Sequence, residues 1–210
     1  MDVDGTLIKG NSAEKLFFWF LFRKGYMRRG NFVRFVLRMV WYTLTVGLDQ
    51  AKGRNKSYLK GESEDKIREW IREYSREVLP GLISPVLRSR IAALREQGYE
   101  IILLSGSLQM LVEEIVRAVG AQKGIGVRLE KKAGGMTGRI SGIYPFSESK
   151  LKALREHCDF SRIDWKHSWA FADRVADLPV LESVGNPVVV NPEKRLENIA
   201  KKRGWEILKW

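Results

Sequence analysis

Apolar residues form two dense blocks early in the chain and short, regularly spaced runs after residue 80. The first block, residues 16–22, reads LFFWFLF and is broken by Arg23-Lys24-Gly25. The second covers residues 32–48 and is interrupted by Arg34 and Arg38. Neither reaches the roughly 18–20 uncharged residues that a membrane span needs. Both read as helices that pack together or lie along an interface, the first opened by an Asn11-Ser12 cap. A polar stretch over residues 49–65 then leads to Ile67, Trp70, Ile71 and Tyr74, spaced for an amphipathic helix.

From Pro80 onward the pattern alternates between strand and helix. Ser84-Pro85 opens a helix that ends at Gly98, and residues 99–104 form an apolar run suited to a strand buried on both faces. A helix over 108–119 closes at Gly120, and residues 125–144, with Gly134-Gly135 at the middle, read as a β-hairpin. Helices over 149–157, 178–184 and 192–203 alternate with strands at 169–172, 187–190 and 205–208. That alternation predicts an α/β fold, a parallel sheet with helices on both faces. Trp165, Trp169, Trp205 and Trp210 are expected to pack near the far edge of the sheet.

Composition changes this picture in one respect. At 210 residues, 44% hydrophobic and 30% charged, the chain is ordinary for a globular protein, but its net charge is +12. Residues 15–60 hold eleven Lys/Arg against one acid, Asp49, which is 11 − 1 = +10 of that excess. Such a segment suits a polyanionic partner or an anionic surface. No recognised nucleic-acid motif accompanies it, so nucleic acid is not expected. Cys158 stands alone and no signal peptide precedes the first motif, so the cytoplasm is the expected address. His157 and His167 lack metal-ligand spacing and are expected at the surface.

Four polar features fall at strand ends, where open α/β sheets hold ligands. Asp2-Val3-Asp4-Gly5-Thr6 sets two acids before a glycine turn and can aim a carboxylate and a carbonyl at one metal; a solvated calcium-type loop or a plain turn would read alike. Ser105-Gly106-Ser107 can cradle phosphate with its hydroxyl and amides, although taken alone it is better explained as capping of the next helix by Ser107. Lys150 opposes the dipole of the helix it opens, which suggests an anion beside it, or it is a surface lysine. Asp173 and Asp177 can complete an oxygen-rich Mg²⁺ site, or Asp177 can serve as a helix cap.

In this order the motifs resemble the haloacid dehalogenase-like hydrolase superfamily, in its phosphoserine-phosphatase-like branch. The resemblance is carried by DVDGTL at 2–7, LLSGS at 103–107, Lys150 and the segment from 172 to 208. It implies a Rossmann-like core over 1–11 and 81–210, with an inserted α-helical cap over 12–80 and a small hairpin. It implies Asp2 as nucleophile, forming an aspartyl-phosphate, and Asp4 as general acid and then base. Thr6, Ser105, Gly106 and Lys150 would surround the phosphoryl group, and Mg²⁺ would be held by Asp2, Asp4 through its carbonyl, Asp173 and Asp177. Asp at 4 and Thr at 6 favour phosphatase over dehalogenase chemistry.

Two departures accompany the resemblance. Ala172 and Arg174 flank Asp173 where the family has glycine and a small residue, so Arg174 clashes or becomes an extra phosphate clamp. Only Met1 precedes Asp2, whereas the family places a central strand there; a nucleophile on a frayed terminus would be poorly placed, so a natural start upstream of Met1 is expected. The cap sets Phe17, Phe18, Trp19, Phe20, Phe22, Phe32, Phe35, Trp41 and Tyr42 among arginines. It reads either as a helical hairpin with its own dry core or as a surface for anionic lipid at the inner membrane face. Expected substrates are therefore a small phosphorylated metabolite or a phospholipid-like phosphate. The alternative to an enzyme is an impaired relative whose basic cap binds membranes or acidic partners. The oligomeric state is left open.

Overall fold

The structure is a computed structural model and describes residues 1–10, 12–46 and 54–210. Asn11, the end of the second apolar block at Leu48 and the polar residues 49–53 lie outside the described residues. Two helices follow the first motif, α1 (Ala13–Arg23) and α2 (Arg29–Val46). Next comes α3 (Glu64–Glu77), capped by Ser63 and burying the stripe Ile67, Trp70, Ile71 and Tyr74. Helix α4 (Pro85–Glu96) begins as its Ser84-Pro85 signal predicts, with Ser84 Oγ accepting from the Leu87 amide at 3.2 Å.

Strands β1 (Ile102–Leu108) and β2 (Lys123–Lys132) pair in parallel, and β2 turns back on β3 (Gly135–Ser141) as the expected hairpin. Between β1 and β2 lies α5 (Gln109–Val119), closed by Gly120 in the left-handed region at φ 69°. After α6 (Ser149–His157) come β4 (Trp169–Ala172), β5 (Asn186–Val190) and β6 (Glu206–Leu208), all parallel, with α7 (Leu178–Glu182) and α8 (Lys194–Arg203) between them.

The two three-stranded sheets are spliced by the first residues of the chain. The Leu104 amide donates to the Met1 carbonyl at 3.0 Å on one side, and the Asp2 amide donates to Phe171 O at 2.9 Å on the other. Asp2 is also bridged in parallel to Leu104. The order is therefore β3-β2-β1, then residues 1–4, then β4-β5-β6. Two neighbours thus hold the backbone around Asp2.

Four local expectations are revised. Strand β1 starts at Ile102 because Tyr99 still finishes the preceding helix, its amide bonded to Leu94 O at 3.0 Å. It runs on through Ser105-Gly106-Ser107 to Leu108, so Ser107 is not the cap of α5. Ser12 makes no side-chain cap for α1. Trp210 lies away from the other tryptophans, beside Lys9 and Asn191 at the carboxyl end of the sheet.

One buried apolar cluster runs from the sheet (Val3, Leu103, Phe171) through α5 into Phe17, Phe18, Phe20 and Leu21 of α1 and into the stripe of α3. Helix α1 is thus part of the main core.

Candidate active site

The loop after Asp2 is tight by necessity. Gly5 donates to Ile8 O at 2.8 Å and Ile8 to Val3 O at 2.9 Å, so the chain doubles back within five residues. Gly5 sits at φ +84°, and a Cβ there would lie 2.0 Å from Asp173 Oδ2. Only glycine lets the chain adopt this turn and Asp173 approach it.

Asp2, on the central segment, Lys150, in the first turn of α6, and Asp177, just before α7, meet beneath that turn. Lys150 Nζ lies 2.5 Å from both Asp2 Oδ1 and Asp177 Oδ1, and all three side chains are at most one-tenth exposed. Carboxylate oxygens of Asp2, Asp173 and Asp177 fall within 4.8 Å of one another. Burial, with Asp177, Asp173 and Asp4 adding to it against Lys150, pushes Asp2 up to about 8. Burial and then Asp177 push Asp173 up to about 6. Burial works against the Lys150 ammonium, yet Asp2 and Asp177 outweigh it and hold its pKa above the ordinary lysine value.

These residues fit a divalent cation. Three crowded carboxylates face one ammonium, and Asp177 Oδ1, although close to Lys150, is a buried oxygen with no hydrogen bond of proper geometry. Thr6 is fully buried and donates to Asp173 Oδ1 at 3.3 Å, so its hydroxyl supports an acid of this cluster.

Asp4 is held differently. Its Oδ1 accepts the Ala13 amide at 2.7 Å, and its Oδ2 accepts Ser107 Oγ at 2.9 Å and Ser105 Oγ at 3.2 Å. The cap of α1 that Ser12 does not provide comes from this carboxylate. The Asp4 carboxylate is no part of the three-acid cluster. Ser105 is fully buried and also accepts the Ser107 amide at 3.0 Å. Gly106 is crowded, since a Cβ would come 3.2 Å from the Tyr144 ring.

Two features escape sequence reasoning. Ser107 is a ligand of Asp4, a role indistinguishable in sequence from capping. Glu14, Lys56 and Tyr58 form a buried group beside the site: Lys56 Nζ lies 2.5 Å from Glu14 Oε2, Tyr58 donates to Glu14 Oε1 at 2.8 Å, and Lys56 reaches Gly106 O at 3.5 Å. The available signal was Glu14 itself, the only acid between Lys9 and Leu48.

Arg174 does not clash. Its Nε lies 3.9 Å from Glu193 Oε2, and its side chain is partly exposed. It lines a cleft of about 500 Å³ with Asp4, Gly5, Lys9, Asp173 and Asn191 at the carboxyl ends of the strands. A larger hollow of about 820 Å³, by Trp169 and Trp205, lies at the opposite strand ends and contains none of these acids.

A mainly parallel α/β sheet with four acids and a lysine gathered at its carboxyl ends defines a Rossmann-like architecture. Residues 1–182 match the model of the haloacid dehalogenase-like hydrolases, and the chain belongs to that family. A probable phosphatase of Mycobacterium tuberculosis is 28% identical over 211 residues, which are 99% of this chain and 73% of that protein. The phosphoserine phosphatase SerB1 of the same organism is 29% identical over 216 residues, 98% of this chain and 68% of that one. A protein of unknown function from Bordetella pertussis shares the fold at a TM-score of 0.83 and 25% identity, covering 99% of this chain and 95% of its own. In this company the impaired-relative alternative is not favoured, since Asp2 is anchored and Arg174 leans toward Glu193.

Proposed function

We propose that the chain is a Mg²⁺-dependent phosphomonoesterase working through an aspartyl-phosphate on Asp2. The observation that carries the reading is the convergence of Asp2, Asp173 and Asp177 on one point beside Lys150, with Asp4 on a separate set of donors. Asp2, the Asp4 carbonyl, Asp173 and Asp177 would hold the Mg²⁺, which would supply positive charge where the phosphoryl oxygens gather.

An Asp2 carboxylate oxygen attacks phosphorus, the ester P–O bond breaks, and the departing alkoxide takes its proton from Asp4. Asp4, now a carboxylate, removes a proton from water; the hydroxide attacks the same phosphorus and the Asp2–phosphorus bond breaks. Lys150, Ser105 and Gly106 hold the phosphoryl oxygens through both steps, so one pocket serves two displacements. Ser107 and the Ala13 amide orient Asp4.

The substrate is a small phosphorylated metabolite or a phosphate borne on a lipid-like molecule, met on the cytoplasmic side and with peripheral contact at an anionic membrane. The test is hydrolysis of p-nitrophenyl phosphate with Mg²⁺. Asp2→Asn is expected to lower turnover by about 10⁴-fold or more, in keeping with loss of a nucleophile. Undiminished turnover in that variant refutes the mechanism. A panel including phosphoserine and a lysophosphatidate then separates the substrate classes.

A further inference from the structure

Helix α2 carries its apolar face outward. Val33, Val36, Leu37, Val40, Trp41 and Leu44 are all exposed, Leu37 at 66%, Trp41 at 65% and Leu44 at 80%. At 3.6 residues per turn they occupy an arc of about 140° on one side of the helix. The opposite side is the one in contact with the fold: Phe35 packs on Phe18 at 4.5 Å between ring centroids, and Phe32 on Phe22 at 5.3 Å. Trp19 and Phe22 of α1, 46% and 48% exposed, extend the apolar surface past that Phe22–Phe32 contact. A solvated helix ordinarily turns such a stripe into the core.

The charge along α2 is of one sign. Residues 15–48 contain no Asp or Glu. Arg29 stands at the N-terminal end of the apolar arc, and Arg34 and Arg38 follow its Trp41 edge. Among the described residues Arg34 bonds the neutral Asn31 side chain, at 2.9 Å, and no acid. Lys15, Arg23, Arg29 and Arg38 have no acidic partner among the described residues. A second copy of the chain on this face would bring arginine rows together with no acid between them. An anionic bilayer answers both features, since its acyl boundary receives Leu37, Trp41 and Leu44 while its headgroups meet the arginines. Among the described residues no helix is long and apolar enough to cross a membrane, so the contact is one of lying on the surface.

We infer that the outer face of α2, extended by Trp19 and Phe22, docks the protein on anionic lipid surfaces. The test is co-sedimentation of the full chain with phosphatidylcholine vesicles, with and without phosphatidylglycerol, at low and high salt. Binding is expected to be about tenfold or more tighter with phosphatidylglycerol and to weaken with salt. Leu37→Glu with Trp41→Glu is expected to abolish it, and Arg29→Glu with Arg34→Glu and Arg38→Glu to remove the preference for phosphatidylglycerol. Both variants are expected to hydrolyse p-nitrophenyl phosphate at the parent rate, which shows that they fold. A single substitution, Trp41→Phe, provides a further reading: part of the fluorescence quenching by brominated lipid disappears with Trp41. Binding equal on neutral and anionic vesicles, no binding, quenching unchanged by Trp41→Phe, or a lipid-free dimer broken by the Leu37/Trp41 variant would overturn the inference. Loss of catalysis by Asp2→Asn leaves docking intact, so the two readings fail separately.

Discussion

Helices α1 and α2 are built from the same materials, aromatic and aliphatic residues interrupted by arginine, yet they stand in opposite relations to the fold. Helix α1 buries Phe17, Phe18, Phe20 and Leu21, whereas α2 leaves Val33, Leu37, Trp41 and Leu44 in solvent. Composition is therefore not what separates them. Helix α1 is tied down at its start, because Asp4 accepts its first amide and Glu14 is clasped by Lys56 and Tyr58. Helix α2 is attached along one edge, through Phe32, Phe35 and the Asn31 side chain bonded to Lys60 O at 2.7 Å. The helix joined to the acids is drawn into the core, and the other is left free to meet something else.

Truncation should expose this difference most strongly. Phe17 is fully buried and meets the Tyr74 ring edge-on at 5.5 Å. Phe17→Ala is expected to cost about 3–5 kcal/mol in urea unfolding, the usual range for a buried phenylalanine. A loss below about 1 kcal/mol would mean that α1 is no more committed to the core than α2.

The anchor of α1 comes next. Lys56→Met leaves Glu14 buried with only the Tyr58 hydroxyl, and is expected to cost about 3 kcal/mol, as for a buried pair that loses one partner. Lys56→Met with Glu14→Leu should regain most of that loss. If the double variant is as unstable as the single, the pair is not what holds the helix.

The acids beside α1 also make that end of the molecule sensitive to pH. Asp173 at about 6 and Asp2 at about 8 stand above the ordinary value of 3.8, so the folded metal-free chain keeps protons that the unfolded chain has released. Their contribution to stability is full below that ordinary value and is lost as pH rises through the folded values; metal-free stability should fall across this window. Mg²⁺ competes with the same protons, so its affinity by calorimetry should rise from pH 6 toward 8. Arginine keeps its charge throughout, so vesicle binding by α2 should stay flat across that interval. An affinity for Mg²⁺ independent of pH would remove these acids from the metal site.

Sequence served the two regions unequally. After residue 80, strand and helix follow from local patterns, and caps such as Ser84-Pro85 and stops such as Gly98 and Gly120 stand where periodicity requires them. Asp173 and Asp177 were legible because they follow a strand directly, Lys150 because it stands in the first turn of a helix, and Asp2 because its pairing with Asp4 precedes a glycine turn. Ser107 was not, because its bond to Asp4 spans 103 residues and depends on β1 running past the Ser-Gly-Ser turn. The central segment was hidden for another reason: so few residues carry no period, and only its two neighbours make it a strand. For α2 the spacing showed an apolar face, but periodicity does not say which way a face turns.

The smallest expected effect is the sharpest test of that last point. Leu37 is as apolar as Leu21, one helix away, yet it is 66% exposed where Leu21 is 1% exposed. A side chain that leaves water neither on folding nor in the folded chain has little transfer energy to lose. Leu37→Ala is therefore expected to shift unfolding by no more than about 0.5 kcal/mol in either direction, with alanine's better helix propensity offsetting what little contact is removed. Leu21→Ala, at the same chemistry, is expected to cost about 2–5 kcal/mol. A Leu37→Ala loss comparable to that of Leu21→Ala would mean that α2 covers its apolar face within the protein, and the contrast between the two helices would vanish.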